Sequence, residues 1–211
     1  MLNETEQLHV QNVYENIAKH FNNTRTYQWK WITIFLENLS SNSLVYDIGC
    51  GNGRNMLNTF NDKLSFIGID NCNSFVQICK NKKLNTINAN IIDIPLKNNS
   101  ANAIICIAVF HHLSNSENRI KALKEMKRLI KDDGQILLSV WSINQPKKTR
   151  RHFNNYGNNI VLWNNYGKIY ERYYYIFELE EIRAMFKTVG LNIISYNYDC
   201  GNEIYVLNKG N

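Results

Sequence analysis

The stretch SLVYDIGCGNGRN (43–55) joins a short apolar run directly to three closely spaced glycines. An apolar run of this length, bounded by glycine, is typical of a buried strand that ends in a tight loop. Asp47 stands two residues before the first glycine. The stretch therefore predicts a buried strand with an acid and a glycine loop at its carboxyl end.

The rest of the chain repeats the pattern of short apolar runs, with helix-like segments between most of them, including 117–131, which Asp133-Gly134 is expected to stop. The runs are at 65–69, 85–89, 102–110 and 135–141. Continuous apolar strands that alternate with helices predict a parallel sheet covered on both faces. After a helix at 178–189, the runs LNIISY and NEIYVL are linked too closely for a parallel crossover. We predict an α/β, Rossmann-like fold with a mostly parallel seven-stranded sheet and a C-terminal antiparallel hairpin.

Composition favours one domain over 1–211, with two amphipathic N-terminal helices in 1–40. The net charge of +6 and pI near 9.0 tolerate a nucleic-acid partner without requiring one. Five cysteines without a CxxC pair argue against a disulfide framework and a cysteine zinc site. No leader or long apolar run suggests secretion or a membrane, so we expect a cytoplasmic protein, with the nucleus as an alternative. The polar segment 144–168 is predicted to be a loop, and 142–171 an insertion on the substrate side.

The glycine loop indicates which small molecule binds at the strand ends. Asp70 ends the second strand, where an acid can accept hydrogen bonds from ribose hydroxyls. Gly49, Gly51 and Gly53 follow the spacing GxGxG, whereas dinucleotide folds use GxGxxG. Asp47 suits a ligand with an ammonium group and would repel a pyrophosphate. S-adenosylmethionine fits this pattern; a dinucleotide and a plain tight turn are the alternatives.

Several separated segments resemble the eukaryotic wobble-uridine tRNA methyltransferases, which esterify the carboxymethyl group of the first anticodon uridine. They include a free-standing fungal enzyme and the methyltransferase domain of an AlkB-like protein. The segments run nearly end to end: 13–29, 46–55, 67–70, 107–114, 119–145, 160–163, 172–182 and 198–206. The glycine block is common to many methyltransferases, so specificity depends on TRxxxW near the start and on RYYxxF and DxGN near the end. The resemblance implies a class I S-adenosylmethionine-dependent fold, with the N-terminal helices as a lid.

The resemblance also implies the roles of the site residues. Asp47 and the glycines would hold the methionine end, Asp70 the ribose, Ala89-Asn90-Ile91 the adenine, and Ala108 would border the cofactor. A carboxylate is already ionised at neutral pH and needs no general base, so the site must hold an anion in line with the methyl group. The candidate anion-binding residues are Arg25 and Arg172. The candidate substrate-binding residues are Tyr27, Trp29, Trp141, Tyr173, Asn202, Lys147, Lys148, Arg150 and Arg151, with aromatic rings for base stacking and the basic run 147–151 for tRNA phosphates.

The adjacent histidines His111 and His112 follow the fourth strand. A metal pair is disfavoured, because neighbouring residues point apart and no third ligand has suitable spacing, so no metal is expected. We predict that His111 faces the methyl group and hydrogen-bonds the substrate, while His112 packs and caps the turn.

The family resemblance further implies a partner and leaves alternatives open. A small zinc-binding activator protein would form a heterodimer by covering an apolar sheet edge at 85–94. The chain departs from the family pattern at Asn90, where an Asp is usual, and at Cys200 and Glu203, where Arg and Trp are usual. The alternatives are a small-molecule methyltransferase of quinone or biotin-precursor type and a noncatalytic tRNA-binding relative.

Overall fold

The strand that opens into the glycine loop lies in the middle of a seven-stranded sheet. The structure is a computed structural model that describes residues 3–57, 63–147, 149 and 152–210. Its strands are β1 (Ser43–Ile48), β2 (Leu64–Asp70), β3 (Thr86–Asn88), β4 (Ala101–Ile107), β5 (Ile130–Trp141), β6 (Gly157–Asn165), β7 (Lys168–Ile176), β8 (Leu191–Asp199) and β9 (Asn202–Lys209). The sheet order is β3-β2-β1-β4-β5-β9-β8, and β6 pairs only with β7.

The sheet confirms the predicted fold class. Strands β3, β2, β1, β4 and β5 are all parallel, while β9 runs antiparallel to both β5 and β8. The turn between β8 and β9 is made by Cys200 and Gly201, which both have positive φ angles, as tight hairpin turns require. The carboxyl ends of β1, β2, β4 and β5 therefore meet at one edge of the sheet, where ligands bind in open α/β folds.

Helices cover both faces of the sheet. They are α1 (Glu4–Glu6), a π-helical turn (Gln7–Gln11), α2 (Asn12–Thr24), α3 (Lys30–Glu37), α4 (Asn73–Asn81), α5 (Ser116–Leu129) and α6 (Leu179–Val189). On one face Ile104 packs with side chains of α5 and α6, and on the other its neighbours Ala103 and Ile105 pack with α3. This alternation along β4 is the reason why its sequence is apolar at every position from 103 to 107. No helix within the described ranges is both long and apolar enough to cross a membrane.

Two local expectations are corrected by the structure. Helix α5 ends at Leu129, and β5 begins at once because Ile130 is extended and pairs with Ala101, so Asp133 and Gly134 lie in a strand. The segment predicted as a loop at 144–168 contains β6, which forms an antiparallel hairpin with β7. We call this unit the β6–β7 hairpin.

Candidate active site

A cavity of about 860 Å³ lies over the carboxyl ends of the central strands, and we call it the first cavity. Its floor is the glycine loop with Asp70, Asn90 and Ala108, and its roof comes from α2 and the β6–β7 hairpin. Of the N-terminal segment predicted to form a lid, α2 borders this cavity, whereas α3 packs on the sheet. One continuous space thus joins the glycine loop to the hairpin.

The glycine loop is held by backbone contacts that leave no room for a side chain at its start. Gly49 and Cys50 both donate N–H hydrogen bonds to the Ile69 carbonyl, at 2.7 and 3.1 Å. Gly49 has a φ of +72°, and a Cβ there would lie 2.3 Å from Val109 Cγ2. A Cβ on Gly51, at φ +54°, would meet only Phe21, at 3.8 Å. Gly51 is therefore the position where a ligand can approach the backbone.

Two buried acids flank this loop. Asp70 lines the cavity and accepts N–H bonds from Gly51 at 2.8 Å and from Cys72 at 2.9 Å. Burial raises its pKa to about 6, although these backbone bonds oppose the rise. Asp47 is 1% exposed and lies behind the cavity wall, and its carboxylate oxygens have no hydrogen-bond partner within the described residues. Burial raises its pKa to about 7, while the Arg54 charge and the nearby Asn55 side chain oppose the rise.

Asn90, Ile91 and Ala108 complete this end of the first cavity. The Asn90 side-chain oxygen, predicted to accept from an adenine amino group, accepts the Ile92 N–H at 3.2 Å. Ala108 has a φ of +57°, and its N–H is shared between the carbonyl and hydroxyl oxygens of Ser139, each at 3.1 Å. We call the end formed by the glycine loop, Asp70, Asn90, Ile91 and Ala108 the cofactor end.

At the opposite end two arginines share one aromatic ring. The Arg25 and Arg172 guanidinium carbons lie 5.0 and 4.7 Å from the Trp163 ring centroid. Burial lowers the pKa of Arg25, and the charge of Arg172 lowers it further. Within the described residues neither arginine has a carboxylate at ion-pair distance, and the Arg172 Nε has no hydrogen-bond partner. Two uncompensated cations beside a cavity attract an anion, so we call this the anion end.

A directed chain of hydrogen bonds leads away from Arg172. Because an arginine can only donate, Tyr174 Oη accepts its N–H, at 2.7 Å. The Tyr14 and Tyr174 hydroxyls are 3.3 Å apart, and Tyr14 Oη is 3.0 Å from His112 Nε2. His112 Nδ1 lies 2.8 Å from the Tyr173 carbonyl and must donate to it, so Nε2 of the neutral ring accepts from Tyr14. Tyr174 therefore donates to Tyr14, and all donors in the chain point in one direction.

The two histidines have the opposite placement to that predicted. His112 lines the first cavity, and burial lowers its pKa to about 3, so it is neutral at pH 7. His111 is fully buried, and its Nδ1 accepts the Trp141 backbone N–H at 3.0 Å. The 3-10 turn Phe110–His112 directs the His111 ring behind the wall, against Trp141 and Tyr174. The prediction that His111 faces the methyl group is thus corrected. A base would use the unprotonated ring nitrogen, and in both histidines that nitrogen, Nδ1 of His111 and Nε2 of His112, already accepts a hydrogen bond.

The other predicted substrate residues divide into three groups. Trp29 and Trp141 line the first cavity, whereas Tyr27 is 89% exposed on the loop between α2 and α3. Tyr173 and Asn202 are corrected: each is buried away from the cavity, with Tyr173 bonded to Asn158 and Asn202 to the β8–β9 turn. Lys147 is an exposed turn residue, and Lys148, Arg150 and Arg151 lie outside the described residues.

Sequence reasoning did not assign a site role to Tyr14, Trp163 or Tyr174, all of which line the first cavity. The helical spacing predicts Tyr14 as one of the apolar, core-facing positions of an amphipathic helix. Its hydroxyl is the only feature that distinguishes it from the other apolar residues of that face. Trp163 lies in the apolar island of a segment predicted as a loop, next to the turn Tyr166-Gly167. In the sequence, the glycine of this turn was the available signal for a hairpin. In the structure both turn residues have positive φ angles.

The geometry also shows which groups this site can hold. No group of three or more potential metal ligands occurs within the described residues. The open approach to Gly51 and the acid at the end of β2, with the charge of Asp47 buried behind the wall, fit a ligand with an ammonium group and a ribose, such as S-adenosylmethionine. Asp47 does not line the cavity, so its predicted direct contact with the methionine end is corrected to an effect through the wall. Gly51 and Asp70 would hold such a ligand at the cofactor end of the cavity.

Comparisons of sequence identify relatives of this chain. Residues 46–138 match the family model described as a methyltransferase domain. The tRNA (carboxymethyluridine(34)-5-O)-methyltransferase of Schizosaccharomyces pombe is 32% identical, over 98% of this chain and 98% of its own. Mouse tRNA (carboxymethyluridine(34)-5-O)-methyltransferase ALKBH8 is 40% identical over 70% of this chain, which spans 22% of that relative. This chain thus corresponds to about a fifth of the length of the mouse protein and to nearly all of the yeast protein.

Solved structures show the same fold at low sequence identity. An S-adenosylmethionine-dependent methyltransferase from Clostridium acetobutylicum has a TM-score of 0.68 and 15% identity, over 95% of this chain and 97% of its own. A methyltransferase in complex with the Haloferax volcanii Trm112 methyltransferase activator has a TM-score of 0.65 and 13% identity, over 96% and 99%. The fold is thus that of S-adenosylmethionine-dependent methyltransferases, which is the fold predicted from the sequence. With the end-to-end match to the yeast protein, these findings show that the chain belongs to the tRNA (carboxymethyluridine(34)-5-O)-methyltransferase family.

Proposed function

We propose that this protein transfers the methyl group of S-adenosylmethionine to the carboxymethyl group of 5-carboxymethyluridine at the tRNA wobble position. One observation carries the proposal: Arg25 and Arg172 share the Trp163 ring beside the first cavity, and within the described residues neither has a carboxylate at ion-pair distance. A carboxymethyl uracil combines a planar ring with an anionic arm. An aromatic wall beside two guanidinium groups is complementary to both parts.

The residues of the chain would act mainly by positioning. When bound, the cofactor supplies a methyl group on a cationic sulfur. The substrate carboxylate would already be ionised at neutral pH, so no residue of the chain has to remove a proton from it. The hydrogen-bond chain through Tyr174, Tyr14 and His112 fixes the Arg172 guanidinium, and the buried setting strengthens its hold on the anion. A neutral His112 with both nitrogens occupied is consistent with a site that needs orientation and no base.

The direct test is methyl transfer to a defined RNA. The chain, alone and with its activator, is incubated with S-adenosylmethionine and an anticodon stem-loop that carries 5-carboxymethyluridine at the wobble position. Nucleoside mass spectrometry should show a gain of one methyl on that nucleoside. The matched substrate with unmodified uridine should gain none. Binding of the cofactor without any transfer to the carboxymethyl RNA would contradict the proposal.

For the activator we propose that it docks on the β3 edge of the sheet. β3 is the outermost strand of the sheet. The Asn85 carbonyl and the Ala89 N–H bond β2. Because alternate residues of a strand bond to the same side, the N–H of Asn88 faces away from β2. Ile87, Ala89 and Ile91 beside it are only partly buried. The methyltransferase of similar fold in the Haloferax volcanii complex, which contains the Trm112 activator, supports a partner of this kind.

Substitution of Asn88 tests this edge, because proline removes an outward N–H and leaves the backbone bonds to β2 intact. Proline and alanine both lose the 3.3 Å bond that Asn88 Nδ2 donates to the Asp70 carbonyl, so the two variants are matched in this respect. In co-expression and native mass spectrometry, Asn88→Pro should lose the heterodimer, whereas Asn88→Ala, which keeps the N–H, should retain it. If Asn88→Pro still forms the heterodimer, the β3 edge is not the docking site.

A further inference from the structure

A second cavity of about 420 Å³ lies on the outer side of the glycine loop. It is lined by Asn22, Thr26, Gln28, Asn52, Arg54, Leu57 and Lys82. Asn52 and Arg54 also line the first cavity, so the two spaces share a wall. Of the described residues that line the second cavity, two are cationic and none is acidic. The second cavity therefore has the electrostatic character of an anion site.

Among the described residues, Lys82 is the cation of this cavity that has no carboxylate at ion-pair distance and none that shifts its pKa. Its Nζ donates to Asn22 Oδ1 and to the Asn52 carbonyl, each at 2.8 Å, and an ammonium group has three donors. Lys82 is partly buried, and this burial lowers its pKa. Burial also lowers the pKa of Arg54, but Arg54 differs because the charge of buried Asp47 opposes that shift. Lys82 is thus positioned by two neutral oxygens, with a remaining donor for a ligand.

The loop between α2 and α3 connects the second cavity to the substrate site. Its residues alternate: Arg25 and Trp29 line the first cavity, whereas Thr26 and Gln28 line the second. Asn52 fixes this loop by donating from Nδ2 to the Arg25 carbonyl at 2.9 Å. Tyr27, between the two sets, is 89% exposed. A strand of RNA whose base enters the first cavity would pass this loop, so its backbone would come close to Lys82.

We propose that the second cavity binds a backbone phosphodiester next to the nucleotide whose base enters the first cavity. Lys82 supplies the charge, and Thr26 and Gln28 line the path. This inference depends on the proposed function, since it requires an RNA substrate. It also explains why the two cavities share Asn52: one loop would position both the base and its neighbouring phosphate.

The test compares Lys82→Met with Lys80→Met, a matched change of an exposed lysine on the last turn of α4. Binding of the carboxymethyluridine stem-loop is titrated between about 50 and 200 mM salt. Lys82→Met should weaken binding about threefold to tenfold and reduce the salt slope by roughly 0.7 to 0.9, as expected for one lost phosphate contact. Lys80→Met should leave both values unchanged, and Lys82→Arg should restore the slope.

A second arm identifies the phosphate itself. Single methylphosphonate linkages, which are uncharged, are placed on the 5′ or the 3′ side of the modified uridine. One of them should weaken binding to the unsubstituted protein and have no further effect on Lys82→Met. Additive effects of both linkages with Lys82→Met would overturn the inference. So would a Lys82→Met variant that keeps the salt slope but loses affinity for S-adenosylhomocysteine, because the cavity would then serve the cofactor.

These outcomes are distinct from failure of the proposed function. If the unsubstituted protein methylates the stem-loop while Lys82→Met and Lys80→Met behave alike, only the second cavity has been misassigned. If the unsubstituted protein binds the cofactor but neither binds nor methylates the RNA, the proposed function fails and the phosphate site fails with it.

Discussion

At the cofactor end of the first cavity the wall is largely backbone, whereas at the anion end it consists of side chains from separate elements. The glycine loop and the Asp70 carboxylate are fixed by N–H bonds within and beside one strand-loop unit. Arg25, Arg172 and Trp163 come from the end of α2, from β7 and from β6. A backbone site fits one cofactor and tolerates few changes. A site of assembled side chains can change its substrate without rebuilding the fold.

The largest effect is expected from Gly49→Ala, which breaks the cofactor end. The new Cβ would lie 2.3 Å from Val109, and the backbone of residue 49 is in the left-handed region. The steric clash and the backbone strain together should lower the free energy of unfolding by an amount on the order of 3–5 kcal/mol. Gly51→Ala has a similar φ but meets only Phe21 at 3.8 Å, so its stability loss should be about 1–2 kcal/mol. Denaturant unfolding and calorimetric titration with S-adenosylhomocysteine measure both. Equal losses for the two variants would contradict this account.

The next largest effect is expected from Arg172→Met, which breaks the anion end. Removing the buried partner of a bound carboxylate should reduce single-turnover methyl transfer on the order of 100-fold. Affinity for S-adenosylhomocysteine should stay within about twofold, because Arg172 lies at the other end of the cavity. Arg119→Met is the control: Arg119 is also buried and lies over the Tyr175 ring at 3.4 Å, but it does not line the cavity. A similar loss of transfer in both variants would point to a general effect of losing a buried arginine.

The cofactor end also predicts a pH dependence that the anion end should lack. Asp47 and Asp70, with pKa values of about 7 and 6, are partly protonated in the free protein at about pH 6. A ligand that brings an ammonium group and ribose hydroxyls to these acids favours both carboxylates ionised, so S-adenosylhomocysteine affinity should rise about tenfold between about pH 6 and pH 8. Calorimetric titrations at several pH values measure this, and Asp47→Asn should flatten most of the rise. If the affinity of the unsubstituted protein does not change with pH, the ionisation of Asp47 is not coupled to binding of the ligand.

The same shifts fix the sign of the stability change. An acid whose pKa is raised by folding favours the folded state while protonated, so its contribution is lost as pH rises from its unfolded pKa near 4 to its folded value. Thermal unfolding of the cofactor-free protein should therefore show a destabilising contribution from Asp47 and Asp70 as pH rises from about 4 to 7. Saturating S-adenosylhomocysteine should offset part of it.

The difference between the two ends also explains what the sequence could predict. The cofactor end follows one continuous stretch, so its strand, glycines and terminal acid are readable from local pattern. The anion end depends on the β6–β7 hairpin, whose Asn-rich strands resemble a loop and pair outside the main sheet. Whether His111 or His112 faces the cavity depends on a single 3-10 turn, and residue spacing cannot determine that direction.

The smallest effect is expected from Tyr14→Phe, which tests how Arg172 is positioned. The change removes the hydroxyl between Tyr174 and His112, leaves His112 Nε2 without its donor, and should cost about 1–2 kcal/mol of stability. Tyr46→Phe is matched, since Tyr46 is buried and its hydroxyl bonds Ser100 away from the cavity, at 2.8 Å. Both variants should lose similar stability, but only Tyr14→Phe should slow methyl transfer, about fivefold. The loss should appear in the maximal rate, because the arginine would still attract the substrate but hold it less firmly in line with the methyl group. If both variants transfer methyl groups at the unsubstituted rate, the hydrogen-bond chain stabilises the fold without positioning Arg172.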